Sequence, residues 1–185
     1  MFVLGHIGIG RRLAARRYAA FSRRDRWLFV LGTILPDLID KPLYYIPSWI
    51  TGEEGAALGI IAGTHSFGHT LLFLVTLLAA WRWLQKRHPG SAAGVGALGI
   101  GVATHLVLDT IGLTMDTRTA FWPLLGWQFT PFRHHGLGQH LRTVFRPVTL
   151  AGELIGGAVL LWDAWRHRPT AGSTAPVDGQ DKHEH

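Results

Sequence analysis

The chain has 185 residues, a length that suits one domain with a buried core. Hydrophobic residues make up 48% of it and charged residues only 16%, against about 25% charged in an ordinary soluble domain. This composition favours a membrane protein, with a compact soluble bundle as the alternative. The chain has no cysteine, which excludes disulfides and thiolate metal sites, so any metal must be bound by histidine and carboxylate side chains. The net charge of +6 comes from basic clusters that fit membrane topology better than nucleic-acid binding, and no nucleic-acid partner is expected.

The N-terminal region begins apolar and then becomes basic, with arginines at intervals from Arg11 to Arg26. A signal peptide carries its charges ahead of its apolar part, so this region is not one. The pattern predicts an amphipathic helix at a membrane interface, with its arginines facing lipid phosphates. A solvated basic face is the alternative. His6 lies in the apolar part, ahead of the arginines.

Two aspartates close the short apolar run 27–36, whose ten residues cannot cross a hydrocarbon core that needs roughly 20. Asp37 and Asp40 are three positions apart and share one face if this stretch is helical. A capping turn between two prolines is the alternative. Residues 43–63 look irregular, and their aromatic side chains suit a membrane interface.

Two apolar helices are predicted over residues 66–84 and 91–113, joined by a turn at Pro89-Gly90. Because this connection is short, the two helices should be antiparallel. The start of the first helix and the end of the second then lie at the same end of a hairpin. His65 should therefore lie close to Asp109.

Residues 114–147 form a second long irregular segment, which predicts a functional loop or short helices. The last apolar run, 148–165, carries Glu153 near its start and Asp163 near its end. Asp163 is expected at the membrane interface, and a carboxylate such as Glu153 within an apolar run tends to be functional. We expect one domain over residues 1–168 and a disordered polar tail over 169–185.

These elements predict an all-α, membrane-embedded helical bundle. It should contain about three to four transmembrane or half-membrane helices and an N-terminal amphipathic helix. Positive charge at 11–26, 82–87 and 166–168 belongs on the cytoplasmic side. The acidic residues and histidines at the other ends of the helices then lie on the non-cytoplasmic face.

Pairs of histidines and aspartates at helical spacing predict a metal site. His105 and Asp109 are four residues apart in an apolar run, so they project from one face of a helix. Buried charges are costly unless compensated, and a divalent cation compensates two carboxylates at once. Imidazole with carboxylate favours zinc, and manganese or iron would also fit. The predicted metal ligands are His6, Asp37, Asp40, His65, His69, His105 and Asp109.

Three short motifs carry a family resemblance: Leu-Pro-Asp-Leu-Ile-Asp at 35–40, Gly-Thr-His-Ser at 63–66 and Thr-His-Leu-Val-Leu-Asp at 104–109. Their order and spacing resemble those of the YdjM-like (LexA-binding, inner-membrane-associated) metal-dependent hydrolases. His6 and Phe-Trp-Pro at 121–123 match further features of that family. The His-x-x-x-Asp arrangement is also similar to that of zinc-dependent phospholipases C and single-strand nucleases.

The resemblance implies an all-α, multi-pass inner-membrane metallohydrolase that acts on a phosphoester. Two departures stand out. Many relatives carry His-Arg shortly before Thr-His-Ser, and residues 59–63 here are Gly-Ile-Ile-Ala-Gly. The residue four after His140 is Val144, whereas zinc phospholipases carry a late His-x-x-x-Glu pair. Glu153 with His134, His135 or His140 could substitute for that pair.

A hydrolase of this kind would use a metal-activated water, with Asp40 or Asp37 as the general base. Arg133 and the histidines at 134, 135 and 140 would neutralise substrate charge. The predicted catalytic residues are Asp40, Arg133 and His135. A site at the membrane surface favours a lipid phosphoester or another amphiphile as substrate.

Three other functions remain open at this point. A divalent-metal transporter could use the same His-x-x-x-Asp pair on a membrane helix. A b-type haem protein could use His69 and His105 as axial ligands. A non-catalytic membrane protein could keep the cluster as a structural metal site.

Overall fold

The structure, a computed structural model, describes residues 3–112, 114–131 and 145–166. About 79% of these residues are helical and none of them lies in a strand, so the predicted all-α class is confirmed. The helices in chain order are α1 (Val3–Leu13), α2 (Ala15–Ala20), α3 (Arg23–Gly32), α4 (Leu35–Thr51), α5 (Leu71–Arg87), α6 (Pro89–Ile111), α7 (Thr117–Ala120) and α8 (Pro147–Arg166). Two 3₁₀ segments, Gly55–Ile61 and Phe67–His69, lie between α4 and α5.

Helix α6 is the centre of the bundle, and α1, α3 and α5 pack on it. Small residues along α6 allow this close packing. Gly32 of α3 meets Gly101 of α6 so closely that a Cβ on Gly101 would overlap the carbonyl oxygen of Phe29. The many glycines of this sequence therefore set how near the helices of the core can approach.

The predicted hairpin is present in α5 and α6. Gly96 of α6 meets Trp81 of α5, and Gly99 lies beside Leu78, so the two helices run antiparallel. The predicted start of the first helix at residue 66 is wrong, because α5 begins at Leu71. Thr70 caps it by accepting a hydrogen bond from the backbone N–H of Phe73 at 3.0 Å.

Helix α4 corrects the prediction of an irregular segment after residue 42. It continues through Pro42 and Pro47 to Thr51, where Gly52 ends it in a left-handed conformation with φ of 74°. Each proline removes its own backbone donor, and its ring crowds the carbonyl group four residues earlier. One face of the helix, with Asp40 and Tyr44 buried four residues apart, packs against the two 3₁₀ segments and outweighs that loss.

Two of the described helices, α6 and α8, are long and apolar enough to cross a membrane. Helix α5 has 17 residues, a length of about 25 Å, and is shorter than a hydrocarbon core of about 30 Å. The described part of the chain thus holds two full-length candidate spans, whereas the predicted three to four also include half-membrane helices. Helix α8 exposes most of its apolar side chains, whereas other helices cover much of α6.

Helix α1 is fastened to α8 as well as to α6. The carboxylate of Glu153 on α8 accepts hydrogen bonds from the backbone N–H groups of Leu4 at 3.0 Å and Gly5 at 2.8 Å. These donors belong to the first turn of α1 and have no partner within the helix, so the carboxylate caps α1 and complements its dipole. This explains the carboxylate that the sequence leaves unexplained in an apolar run. It also means that α1, although basic at its end, buries one face within the bundle.

Candidate metal centre

The described part of the chain brings the predicted metal ligands to one end of the bundle. They come from the first turn of α1, the start of α4, the segment before α5 and the last two turns of α6. Six of them form three overlapping groups of possible ligands, in each of which one ligand atom per residue lies within 4.8 Å of the others. These groups are His6, His105 and Asp109; Asp37, His69 and His105; and His65, His69 and Asp109.

Two histidines on different elements face each other at the centre of this cluster. Nε2 of His69 lies 3.1 Å from Nε2 of His105, and both rings are fully buried. The Nδ1 atom of His69 lies 2.7 Å from a carboxylate oxygen of Asp40, and that of His105 lies 2.7 Å from the carbonyl oxygen of Thr33. Because both partners are acceptors, each Nδ1 carries a proton, and in the neutral form of each ring the Nε2 lone pair is then available to a cation.

Asp109 adds a negative charge to the point where these lone pairs meet. Its Oδ2 lies 3.4 Å from Nε2 of His105, 3.5 Å from Nε2 of His69 and 3.7 Å from Nε2 of His65. Its Oδ1 lies 3.2 Å from Nε2 of His6, whose ring stacks on His105 with centroids 3.9 Å apart. The two oxygens of Asp109 therefore face different sets of imidazoles. Asp109, rather than Asp37, has the geometry of a carboxylate that bridges two cations.

Asp37 lies at the edge of the cluster and is paired with a lysine. Its Oδ1 is 3.6 Å from Nε2 of His69, and its Oδ2 accepts a hydrogen bond from Nζ of Lys41 at 2.6 Å. Sequence reasoning missed Lys41. The available signal was its spacing of four residues from Asp37 on a helix.

Asp40 lies behind His69, and hydrogen bonds occupy both of its oxygens. Oδ1 accepts from the backbone N–H of Gly68 at 2.9 Å, and Oδ2 accepts from those of Ser66 at 2.6 Å and His69 at 3.2 Å, in addition to the His69 ring. Its role as a ligand or base stays a prediction, and its contacts are those of a group that orients His69.

The backbone around Asp40 allows the segment 66–69 to lie very close to the start of α4. A Cβ on Gly68 would lie 2.8 Å from Cα of Pro36, so only glycine lets the segment 66–69 close over the start of α4. Phe67 then packs edge-on against Trp122 and Phe129, which holds the segment from the other side. Trp122 belongs to the Phe-Trp-Pro motif of the sequence, and this contact explains its place beside the cluster.

The hydroxyl group of Ser66 is buried in this segment without a contact in the described part of the chain that would account for its burial. Its Oγ is buried and has no hydrogen-bond partner among the described residues. It lies one residue after His65, at the mouth of the cluster. A water molecule or a bound oxyanion could accept its proton.

The charges of the cluster shift the pKa values of its members. Burial alone would lower the pKa of His69, but its hydrogen bonds with Asp109 and Asp40 outweigh burial and raise it to about 9. Burial raises the pKa of Asp37, but Lys41, His105 and His69 together outweigh it and lower that pKa, so the carboxyl stays ionised. Burial and the neighbouring His69 lower the pKa of His65. The cluster thus favours a cation at its centre. Without a metal, the protonated ring of His69 is that cation.

The donor set fits a divalent metal ion. Lone pairs that converge at about 3 Å repel one another unless a cation lies between them, and imidazole with carboxylate is the donor set of zinc, manganese and iron. Asp40 and the Thr33 carbonyl hold the ligand histidines through their other ring nitrogens, as is usual for metal-binding histidines. The predicted groups Arg133 and His135, together with His134 and His140, lie outside the described residues, as does the predicted tail from residue 169.

Comparison with known proteins confirms the YdjM part of the resemblance seen in the motifs. The family model described as YdjM inner membrane protein matches residues 1–168. No curated protein and no solved structure matches the chain. The matched region includes both candidate membrane helices, and the family and these helices together indicate a membrane location. It also includes the possible metal ligands. The chain belongs to the YdjM inner membrane protein family.

Proposed function

We propose that the chain is a membrane-bound, metal-dependent hydrolase of phosphoesters carried by lipids or other amphiphiles. The observation that supports this most directly is the meeting of the His69 and His105 Nε2 atoms, 3.1 Å apart, beside the carboxylate of Asp109. Packing alone would not require two buried imidazoles to face each other next to a carboxylate, whereas a bound metal ion, the first requirement of this hydrolase, would.

Zinc is the metal that suits this set best, because imidazoles outnumber carboxylates around Asp109. His65, His69, His105 and Asp109 would hold the metal, with His6 and Asp37 as further ligands. A cation bound there lowers the pKa of its water toward about 7, which supplies hydroxide at neutral pH.

The remaining groups have distinct roles in this proposal. Asp40 orients His69 and keeps its proton on Nδ1. Asp37 is the better candidate for general base, because its Oδ1 faces the cluster and its Oδ2 is held by Lys41. Lys41, whose side chain is 27% exposed, supplies positive charge for a substrate phosphate. It replaces the charge that the missing His-Arg motif would bring. Arg133 and His135 stay predictions for the same task.

An apolar groove beside the cluster supports an amphiphilic substrate. Its volume is about 410 Å³, and it lies between α5, α6 and α7. Leu106, Val107 and Thr110 of α6 line it, and they alternate along the helix with His105 and Asp109. The same two turns of α6 therefore present ligands on one face and an apolar wall on another. A phosphoester at the cluster could place an acyl chain along this wall.

The alternatives fit the geometry less well. A haem with His69 and His105 as axial ligands would need two iron–nitrogen bonds of about 2 Å in opposite directions, and the two Nε2 atoms are only 3.1 Å apart. A transporter would need ligands along a path, whereas these ligands gather at one end of the helices. A purely structural metal site is the strongest rival, and only an activity measurement separates it from the proposal.

Location follows from the same proposal. The metal cluster lies at the C-terminal end of α6, and the basic residues that end α5 lie at the opposite end of that hairpin. Positive charge on the cytoplasmic side then puts the cluster on the non-cytoplasmic face of a multi-pass inner-membrane protein.

The test begins with elemental analysis of the full-length protein, purified in detergent, beside its His105→Ala and Asp109→Ala variants. We expect at least one metal ion per chain, lost in both variants and retained in His88→Ala, which removes an exposed histidine at the far end of α6. The metal-loaded protein is then assayed on lipid phosphoesters with short and long acyl chains. Bound metal without hydrolysis of any of them would leave a structural site and refute the enzyme.

A further inference from the structure

A second charged site lies where α1, α2, α3 and the end of α8 meet, away from the metal cluster. Helix α1 runs antiparallel to α6, since His6 stacks on His105 and Ala14 packs with Ala97. The eight residues from Ala97 to His105 correspond to about 12 Å along α6. Arg11 and Arg12 follow His6 by five and six residues, about 8 to 9 Å along α1, so the charged site lies toward the Ala14 end of the helix and away from the metal cluster.

This site is a cavity of about 420 Å³ with an excess of positive charge. Its charged lining consists of Arg11, Arg12, Arg26 and Asp163, so three positive groups against one negative group give a net charge of +2. Both oxygens of Asp163 already form ion pairs. Its Oδ2 lies 3.2 Å from Nη2 of Arg11, and its Oδ1 lies 3.0 Å from Nη2 of Arg12. The single carboxylate cannot neutralise the third arginine.

Arg26 is held in place without a carboxylate. Its Nε donates to the carbonyl oxygen of Phe21 at 3.1 Å, and its Nη2 donates to that of Ala19 at 3.4 Å. Its guanidinium lies 5.6 Å from the ring centre of Tyr18, and that of Arg11 lies 4.8 Å from the same ring. Within residues 3–112, 114–131 and 145–166, no carboxylate lies within ion-pair distance of Arg26. Two guanidinium groups are thus fixed around one aromatic ring.

Arg11 provides a second sign that the cavity is incomplete. Its Nε atom is buried and has no hydrogen-bond acceptor in the described part of the chain. A buried donor on a charged group costs free energy unless an acceptor reaches it. An anion with several oxygens would supply that acceptor, and guanidinium groups bind phosphate through paired N–H donors.

The surroundings of the cavity point to a lipid as the carrier of that phosphate. Asp163 lies in the last turns of α8, next to Trp162 and Trp165, whose side chains are 45% and 59% exposed. Exposed tryptophans near the end of an apolar helix mark the level of lipid headgroups. The guanidinium of Arg166 lies 4.8 Å from the ring centre of Trp162. The cavity therefore opens at the depth where headgroup phosphates lie.

We propose that this cavity binds the phosphate of an anionic phospholipid headgroup. The sequence predicts only that the N-terminal arginines face lipid phosphates in general. The structure selects Arg11, Arg12 and Arg26 from the seven arginines between residues 11 and 26. The proposal does not depend on the metal cluster or on hydrolysis.

The test measures lipid retention by the full-length protein in a neutral detergent. Phosphatidylglycerol and phosphatidylcholine with identical acyl chains are titrated in turn, and bound lipid per folded protein is counted by native mass spectrometry. We expect preference for phosphatidylglycerol, and a loss of about fivefold in its affinity in Arg26→Gln, the effect of one basic group near a membrane surface. Arg24→Gln, which removes an exposed arginine of the same helix outside the cavity, should stay within twofold of wild type.

A third variant should change affinity in the opposite direction. Asp163→Asn removes the one negative group of the lining and releases Arg11 and Arg12, so it should tighten phosphatidylglycerol binding. Equal losses in Arg24→Gln and Arg26→Gln, or no gain in Asp163→Asn, would overturn the proposal. Displacement of the lipid by an equal concentration of inorganic phosphate would also overturn it, because the site would then belong to a soluble ligand.

Discussion

Oδ2 of Asp40 lies 2.7 Å from Nδ1 of His69, and this contact turns Nε2 of His69 toward Nε2 of His105. The metal cluster therefore depends on a residue outside its centre. Asp40 is fully buried, and three backbone N–H groups hold its carboxylate in one orientation. A rigid carboxylate fixes a rigid imidazole, so the geometry of the donors exists before any ion binds.

Asp40→Asn should weaken metal binding by about 10- to 100-fold without removing a predicted central ligand. The amide would replace one of the two acceptor oxygens of Asp40 with an N–H₂ group. That group cannot accept a hydrogen bond from the backbone N–H that it would face. Metal affinity is measured by competition with a chelator. Asp116→Asn removes a comparable hydrogen-bonded carboxylate at the start of α7 and should leave affinity unchanged. Full affinity in Asp40→Asn would refute the orienting role.

Glu153→Ala should destabilise the protein and also reduce its metal content. The two backbone donors of Leu4 and Gly5 lose their acceptor, at a cost of about 1 kcal/mol. Because His6 lies in the next position of α1, movement of this turn shifts a metal ligand. Thermal unfolding and elemental analysis check the two effects. Glu53→Ala, a change at an exposed glutamate, should alter neither. A stable variant with reduced metal would instead indicate that Glu153 contacts the ion.

Gly101→Ala should destabilise the bundle by about 1–3 kcal/mol. Its new methyl group would overlap the backbone of Phe29 and lie 2.9 Å from Cα of Gly32, and backbone cannot move aside as a side chain can. Gly90→Ala offers a matched control in the same helix, because no atom lies within 4 Å of its Cβ position. That variant should be neutral or gain up to about 1 kcal/mol from helix propensity. Chemical denaturation in detergent gives both values, and equal stabilities would contradict the packing argument.

Lys41→Met should retain metal but lose hydrolytic activity on the order of a hundredfold, if Lys41 stabilises the charge of the phosphoester. The methionine keeps most of the length of the side chain and removes its charge and its hydrogen bond to Asp37. Lys86→Met, near the far end of α5, is the matched control and should keep full activity. Loss of metal in Lys41→Met would mean that the lysine acts on Asp37 rather than on substrate.

The sequence is sufficient for those parts of the site that depend on local spacing. His105 and Asp109 share a face because a helix repeats every 3.6 residues, and a short turn between two apolar helices brings His65 to Asp109. His6 is among the predicted ligands, but no local spacing places it beside His105, because that contact depends on the packing of two helices that lie about a hundred residues apart.

Other features depend on contacts that no spacing reveals. His69 contacts Asp40, which lies 29 residues away along the chain, and the backbone of Leu4 contacts Glu153, which lies 149 residues away. Helix α4 continues past two prolines because burial of Asp40 and Tyr44 outweighs the lost donors, and local propensity alone favours an irregular segment. Helix α5 begins later than predicted because backbone N–H groups of residues 66–69 donate to the carboxylate of Asp40 instead of forming a helical turn.

The attachment of α1 to α8 has a consequence for how the protein matures. A ribosome makes His6 147 residues before Glu153, whose carboxylate holds the start of the same helix. Helix α1 must therefore wait for the synthesis of α8 before its cap arrives. Until then His6 is not fixed, and a chain that lacks α8 would hold metal less tightly. The arrival of α8, rather than the insertion of α1, would be the event that closes the metal centre.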